Sequence, residues 1–305
     1  MIIVVVGKES QTLVEAAGDA QVRFVDRLDE AADVYGEMEA VIGRVPPEVL
    51  AKAPRLRWVH SPSAGVDADL TPEMLASSVV LTSSAGNGGI SLAEHSMLLM
   101  LMLNRDVPRW MRAQAEHRWD HFLHDELAGM TVGIYGLGNS GLDLAFKAKA
   151  FHMRVLGVRR RPELPSPHVD ELCDLDTLLT ESDFVVVTAP RTPTTEGVFG
   201  RDAFARMKAS AYFICISRGG IADDEALLEA LRTGEIAGAG LDAHGVEPLP
   251  PDSPFWSLPN VVVTPHNGAT SRGTRRRGQE IVAENVRRFV AGETLHNVVD
   301  KNVGY

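Results

Sequence analysis

Three side chains in this 305-residue sequence could together move a hydride onto or off a carbon that bears oxygen: Arg218, Glu247 and His266. An arginine presents a fixed fork of donors to a carboxylate and the carbonyl beside it. A histidine titrates near neutrality, so it can protonate a carbonyl oxygen as hydride arrives at the carbon. A carboxylate next to that histidine orients the ring and favours its charged form. A small 2-oxo acid requires that set. Taken singly, each residue has a plainer reading: a surface ion pair for Arg218, a loop residue for Glu247-Pro248, a hydrogen-bonded structural histidine for His266. Two other histidines compete for the role. His244 lies in Asp242-Ala243-His244-Gly245, and His95, in Ala93-Glu94-His95, reads as a structural helix residue.

Position reverses the plain readings. Each of the three follows the end of an expected strand, which is where open α/β sheets bind ligands. Arg218 closes Ile214-Cys215-Ile216-Ser217. Glu247 comes after Gly238–Leu241, and His266 follows Val261–Thr264. These strands belong to a βα alternation that begins at Thr131-Val132-Gly133-Ile134-Tyr135. That strand breaks into Gly136-Leu137-Gly138-Asn139-Ser140-Gly141 and an apolar-periodic helix. Glycines at those three places permit the turn, let a pyrophosphate near the backbone and let the helix pack on the strand. The helix start offers free N–H groups and a positive dipole end. The alternative is a glycine-rich turn that binds nothing. Strands expected at 132–135, 154–158, 184–187, 212–216, 238–241 and 261–264 make six parallel strands, the dinucleotide-binding arrangement.

An NAD site places Asp or Glu about 20 residues beyond the glycines, on the ribose 2′-hydroxyl. Here the position 18 residues after Gly141 is Arg159, followed by Arg160 and Arg161. Three arginines there favour a 2′-phosphate, so NADP is expected and NAD is the less favoured cofactor. A solvated basic loop is the plain reading, but the chain carries a net charge of −11. That charge disfavours nucleic acid and acidic membranes as partners.

The first part of the chain also alternates short apolar strands and helices, from Ile2–Val6 onward, without a glycine phosphate loop. Ser91 to about Gln114 reads as one long helix, capped by Ser91 with Glu94 three residues on and kinked or split at Pro108. The final helix, from about Thr274 to Ala291, is expected to return to the first domain. The fold class is therefore α/β: two Rossmann-like or flavodoxin-like doubly wound parallel-sheet domains with a cleft between them. Residues 1–98 and 270–305 form the substrate-binding domain and 99–269 the dinucleotide-binding domain. Cys173 and Cys215, without CxxC spacing, suggest neither a metal site nor a disulfide framework. The N-terminus reads as a strand, not a signal peptide, and a cytoplasmic location is expected.

With those motifs on the page, the sequence resembles the D-isomer-specific 2-hydroxyacid dehydrogenase family over nearly its whole length, especially the short glyoxylate/hydroxypyruvate reductase-like members. The resemblance rests on the glycine loop, Ser217-Arg218-Gly219-Gly220 leading into Asp223-Asp224-Glu225, Gly240-Leu241-Asp242, Glu247-Pro248 and Thr264-Pro265-His266. It also rests on gaps of 29 and 19 residues between Arg218, Glu247 and His266. It implies that Arg218 binds substrate, Glu247 orients the base and His266 is the acid/base. It implies that Asp242 lies near the nicotinamide, and that Ala189, Pro190, Arg191, Thr195, Ile216, Ser217, His266 and Gly268 line the cofactor. Ser63, Ala64 and Gly65 would offer N–H groups to the substrate carboxylate. A homodimer formed through the cofactor domains and the long helix, and a D-hydroxy acid product, come from the same resemblance. Cys215 stands where the family usually has Asn, and Ala243-His244 where an aromatic residue is more usual. The rival readings are a non-catalytic cofactor-sensing module on the same fold and a dehydrogenase of 3-phosphoglycerate, phosphite or formate. A formate enzyme would carry Gln in place of Glu247, and many phosphoglycerate enzymes have a C-terminal extension that is not expected here.

Overall fold

A computed structural model describes residues 1–304 and divides into two compact units, residues 1–87 with 272–305 and residues 88–271. In the first unit the elements are β1 (Ile2–Val6), α1 (Gln11–Ala17), β2 (Gln21–Val25), β3 (Met38–Ile42), α2 (Pro47–Leu50), β4 (Trp58–Ser61), α3 (Pro72–Ala76) and β5 (Val80–Ser83). The strands pair in parallel in the order β2-β1-β3-β4-β5, the flavodoxin-like order. Parallel strands covered on both faces read as continuous apolar runs, which is why IIVVV was legible, whereas β3, interrupted by Glu39, begins three residues before the apolar stretch from Val41 that marks it in the sequence. One face packs Val4, Val41, Val59 and Leu81 against Val49 and Met74. The other packs Ile3, Val5, Ile42 and Trp58 against Leu13 and Ala17 of α1 and against Val282 and Val286 from near the end of the chain.

The second unit opens with α4 (Gly89–Asn104) and α5 (Val107–Ala115). It continues through β6 (Thr131–Tyr135), α6 (Asn139–Ala150), β7 (Arg154–Val158), β8 (Glu171–Leu172), α7 (Leu175–Glu181) and β9 (Phe184–Val187). It closes with α8 (Arg201–Arg206), β10 (Tyr212–Cys215), α9 (Asp224–Thr233), β11 (Gly238–Leu241) and β12 (Val261–Val263). The sheet order is β12-β11-β10-β9-β6-β7-β8, all parallel. Counted from β6 this is the 3-2-1-4-5-6 order of a dinucleotide fold with one strand added. The order reverses between β7 and β9, on either side of β6. The first unit regains the chain at α10 (Arg272–Ala291).

Four expectations need correcting. The second sheet has seven strands rather than six; β8 is two exposed residues with no apolar run to announce it. The first division falls before α4 and not at residue 98, because Ala93, Met97, Leu99, Met100 and Leu103 all pack with Leu144, Ala145 and Ala148 of α6. Ser91 does not cap α4: the cap position is Gly88, and Ser91 lies within the helix, its hydroxyl donating to the Gly268 carbonyl at 2.7 Å. The long helix breaks ahead of Pro108, at Asp106. That residue sits at φ 46° and caps α5 by accepting from the Arg109 N–H; Pro108 falls in the first turn of α5, where its missing N–H costs nothing.

Candidate active site

The glycine loop follows β6 at the switch point of the sheet. Two of its glycines are explained by the protein's own packing. A Cβ on Gly136, which has φ 107°, would sit 2.5 Å from the Ala189 nitrogen, and one on Gly141 would sit 2.1 Å from the Gly136 carbonyl oxygen. Thr188 closes the same contact by donating to the Gly136 carbonyl. Gly138 differs. Its φ is −87° and a Cβ there would meet nothing within 4 Å. Neither conformation nor packing requires glycine at that position, so the open space over the start of α6 is the feature it preserves. The α6 terminus has no side-chain cap and no acid in its first turn, which leaves its N–H groups and dipole for an anion. These residues fit the diphosphate of a dinucleotide. Leu137 and Ile216, expected along the cofactor, bury their side chains in the core and can offer only main-chain groups.

Beyond β7, Arg160 and Arg161 are exposed, while Arg159 is half-buried. One Arg159 nitrogen, Nη1, donates to the Pro165 carbonyl at 3.1 Å and to Ser166 Oγ at 2.9 Å, so this arginine also shapes the loop after it. Arg191 pairs with Glu196 and its guanidinium covers Gly220. Thr195 organises the same turn, accepting from the Thr192 N–H and donating to the Pro190 carbonyl at 2.8 and 2.7 Å.

The segments that follow β11 and β12 bring Glu247 and His266 together. His266 Nδ1 is 2.8 Å from Glu247 Oε2, and Glu247 Oε1 accepts the His244 N–H at 2.9 Å. An ionised carboxylate only accepts, so His266 carries its hydrogen on Nδ1 and turns Nε2 to whatever lies beyond. Burial acts to raise the Glu247 pKa, but the bonds from the His244 N–H and from His266 outweigh it and hold the group below the usual carboxylate range. Gly219 is pressed against this segment: a Cβ would sit 1.8 Å from the His244 carbonyl oxygen, which brings the Arg218 turn against the Glu247 turn. Arg218 is half-buried and donates from Nη1 to the Ser217 carbonyl at 2.8 Å. Below it the Cys215 thiol contacts the Arg218 carbonyl at 3.6 Å, and burial pushes that thiol up to about 11.

Asp242 is 0% exposed. Its carboxylate accepts from Thr264 Oγ1 at 2.6 Å and from the N–H groups of Asn267 and Gly268, both at 2.8 Å. Burial opposes its charge, yet those bonds and His95 bring its pKa down to about 2. Gly268 spends its N–H on Asp242 and its carbonyl on Ser91. His244, the competing histidine, is buried with Nε2 on the Thr264 carbonyl at 3.0 Å. These long-range ties had no signal in the sequence; the polar residues themselves, Thr264 and His95, were the only hint.

Ser63, Ala64 and Gly65 follow β4 in the first unit, with Ser63 and Ala64 exposed and Gly65 half-buried. Their loop is held from inside, the Ser84 N–H donating to the carbonyls of Ser61 and Ser63 at 3.2 and 3.0 Å. Among the described residues no cluster of three His, Cys, Asp or Glu side chains could hold a metal, and no helix is long and apolar enough to cross a membrane.

A family model described as D-isomer specific 2-hydroxyacid dehydrogenase, NAD binding domain, matches residues 97–268. The chain is 35% identical to the D-3-phosphoglycerate dehydrogenase of Archaeoglobus fulgidus over 86% of its own length and 51% of that protein. It therefore spans about half the length of the phosphoglycerate dehydrogenases it matches. It is 36% identical to the glyoxylate reductase of Korarchaeum cryptofilum, covering 84% of this chain and 80% of that one. Among solved structures it is similar to the NADPH-dependent glyoxylate/hydroxypyruvate reductase of Sinorhizobium meliloti in complex with NADP and sulfate, with 31% identity, a TM-score of 0.86 and coverage of 100% and 99%.

Proposed function

Because this chain belongs to the D-isomer-specific 2-hydroxyacid dehydrogenase family, we propose that it reduces a small 2-oxo acid, glyoxylate, hydroxypyruvate or a close relative, to the D-2-hydroxy acid with NADPH. The observation that carries this reading is the Glu247–His266 pair at 2.8 Å, with Nε2 of the imidazole left for substrate.

The reduced nicotinamide, when bound, supplies the hydride. Gly138, Asn139 and Ser140 at the start of α6 would hold its diphosphate, and Arg159 and Arg160 its 2′-phosphate. Arg218 would hold the substrate carboxylate and polarise the carbonyl. As the carbonyl carbon becomes tetrahedral, its oxygen takes the proton from His266 Nε2. Glu247 keeps the ring aligned for that transfer by accepting from Nδ1. His266 is 40% exposed, so solvent can reprotonate it. In the oxidative direction the neutral Nε2 accepts the hydroxyl proton.

Support for NADP comes from the triplet Arg159–Arg161 and from the NADP complex of the S. meliloti relative. A homodimer is proposed for the exposed apolar arm that follows α5. Trp119 is 97% and Leu123 98% exposed. The arm is held by Arg109 on Asp120 at 2.7 Å and by the Arg109 guanidinium 4.0 Å over Phe122. Exposed apolar surface on an ordered arm suits a second copy. The two free thiols support a reducing cytoplasm as its compartment.

The deciding experiment is a panel of glyoxylate, hydroxypyruvate, longer 2-oxo acids and 3-phosphohydroxypyruvate, each with NADPH and with NADH. Turnover of the first two is expected, with NADPH preferred by about 10-fold or more from charged hydrogen bonds to the extra phosphate. Preference for NADH would overturn the cofactor assignment. Turnover of the phosphorylated acid alone would move the substrate class to that of the A. fulgidus relative. Cofactor binding with no turnover would favour the sensing module.

A further inference from the structure

The segment carrying His266 is anchored to a helix far away in sequence. From α4, Ser91 Oγ donates to the Gly268 carbonyl at 2.7 Å, and His95 Nε2 lies 2.9 Å from Thr264 Oγ1 and 3.4 Å from Asp242 Oδ1. The direction of these bonds is fixed by chemistry. Asp242 can only accept, so the single hydroxyl hydrogen of Thr264 goes to Asp242 Oδ1 at 2.6 Å. The Thr264 oxygen must then accept from His95, whose Nε2 carries a hydrogen. The Asp242 carboxylate passes the constraint on to the N–H groups of Asn267 and Gly268. Thr264 is two residues before His266, and Asn267 and Gly268 are the two after it. His266 itself sits at φ 51°, a left-handed conformation that a side chain with a Cβ holds only when its surroundings enforce it.

We propose that His95 is a positioning residue for the reaction: through Thr264 and Asp242 it locks residues 264–268 in the one conformation that keeps His266 Nδ1 on Glu247 and Nε2 aimed at substrate. This rests on the reading of His266 as the acid/base. His95 touches none of the reacting atoms. It acts by removing the alternative backbone states of the loop, and a misplacement of about 1 Å at a reacting group can cost on the order of 10²-fold in rate.

The test uses the intact protein with NADPH and whichever 2-oxo acid it turns over best. His95→Leu is expected to lower kcat about 10–100-fold, while the Kd for NADPH, read by fluorescence, stays within about twofold of the parent. Thr264→Val should do the same, and the double variant should be no worse than the poorer single, because both break one chain of bonds. His95→Gln, whose amide N–H can reach the Thr264 oxygen, should recover most of the activity. Multiplicative losses in the double variant would overturn the proposal, as would a normal kcat in His95→Leu or a parallel loss of cofactor affinity. His266→Ala separates the two levels: if it stays active the acid/base reading falls and this inference with it, whereas an inactive His266→Ala beside a normal His95→Leu removes the positioning role alone.

Discussion

His60 and His266 belong to different units, one within β4 on an inner strand and the other just beyond β12 on an edge strand, and their surroundings differ as much as their places. His60 is 0% exposed. Its Nδ1 is 2.8 Å from Thr82 Oγ1, which also accepts the Trp58 indole N–H at 2.8 Å, and its Nε2 is 3.1 Å from Ser84 Oγ. Both ring nitrogens are thus held by hydroxyls, and no carboxylate stands beside the ring to offset an added charge. Burial accordingly lowers the His60 pKa to about 4. His266 is half-open, and its partner is a carboxylate. A buried ring between hydroxyls suits a neutral strut; a ring between carboxylate and solvent suits the proton carrier proposed above. The residue type alone does not separate them, but the partner and the water do.

The largest effect that could break this contrast is His266→Ala. It should lower kcat by about 10²–10⁴-fold with an unchanged thermal melt, measured by steady-state kinetics beside calorimetry. Near-parent turnover would put His266 on the structural side. Next comes acid titration of stability. His60 binds its proton more readily in the unfolded chain, near the ordinary histidine value, than in the fold, near 4. Its contribution is therefore complete above about pH 6.5 and declines as pH falls towards 4, by up to roughly 3 kcal/mol. Urea melts across that window should show the decline, and His60→Gln should flatten it. Glu247 is shifted in the same direction, so its contribution is also lost as pH falls, but its window starts lower, in the ordinary carboxylate range, because its pKa is held below that range. Acid should thus weaken the first unit before it breaks the Glu247–His266 pair.

Glu247→Gln should cost about 10–100-fold in kcat, less than loss of His266, because the ring remains and an amide oxygen can still accept from Nδ1, but the negative charge beside it is gone. An equal loss in both variants would mean that the ring does nothing without that charge. The smallest effect is Ser84→Ala, which removes one partner of His60 and should cost about 1 kcal/mol of stability in urea melts, with kcat within twofold of the parent.

How much of this was legible follows from range. The strands Val132–Tyr135 and Phe184–Val187 announced themselves, because a strand buried on both faces is apolar throughout. Arg218, Glu247 and His266 could be singled out because each follows a strand end. What escaped was whatever depends on a distant partner. His95 reads as a helix residue until Thr264 is placed beside it, and Ser91 imitates a cap while serving the Gly268 carbonyl. Arg159 was read for its charge alone, and its grip on Ser166 is a matter of loop geometry. Glu171–Leu172 failed for the reverse reason, a strand too short and too exposed to leave a pattern.

The chain leaves the first unit at residue 87 and re-enters it at residue 272, and this has a consequence for biosynthesis. All five strands of the first sheet emerge from the ribosome early, but the face bearing Ile3, Val5, Ile42 and Trp58 is closed only when Val282 and Val286 arrive. At about 5–20 residues per second, the intervening segment takes many seconds to make. Residues 88–271 are contiguous and can collapse as soon as they emerge. The unit whose strands are made first is thus the last to be finished, and that apolar face waits for its cover while residues 88–271 are made.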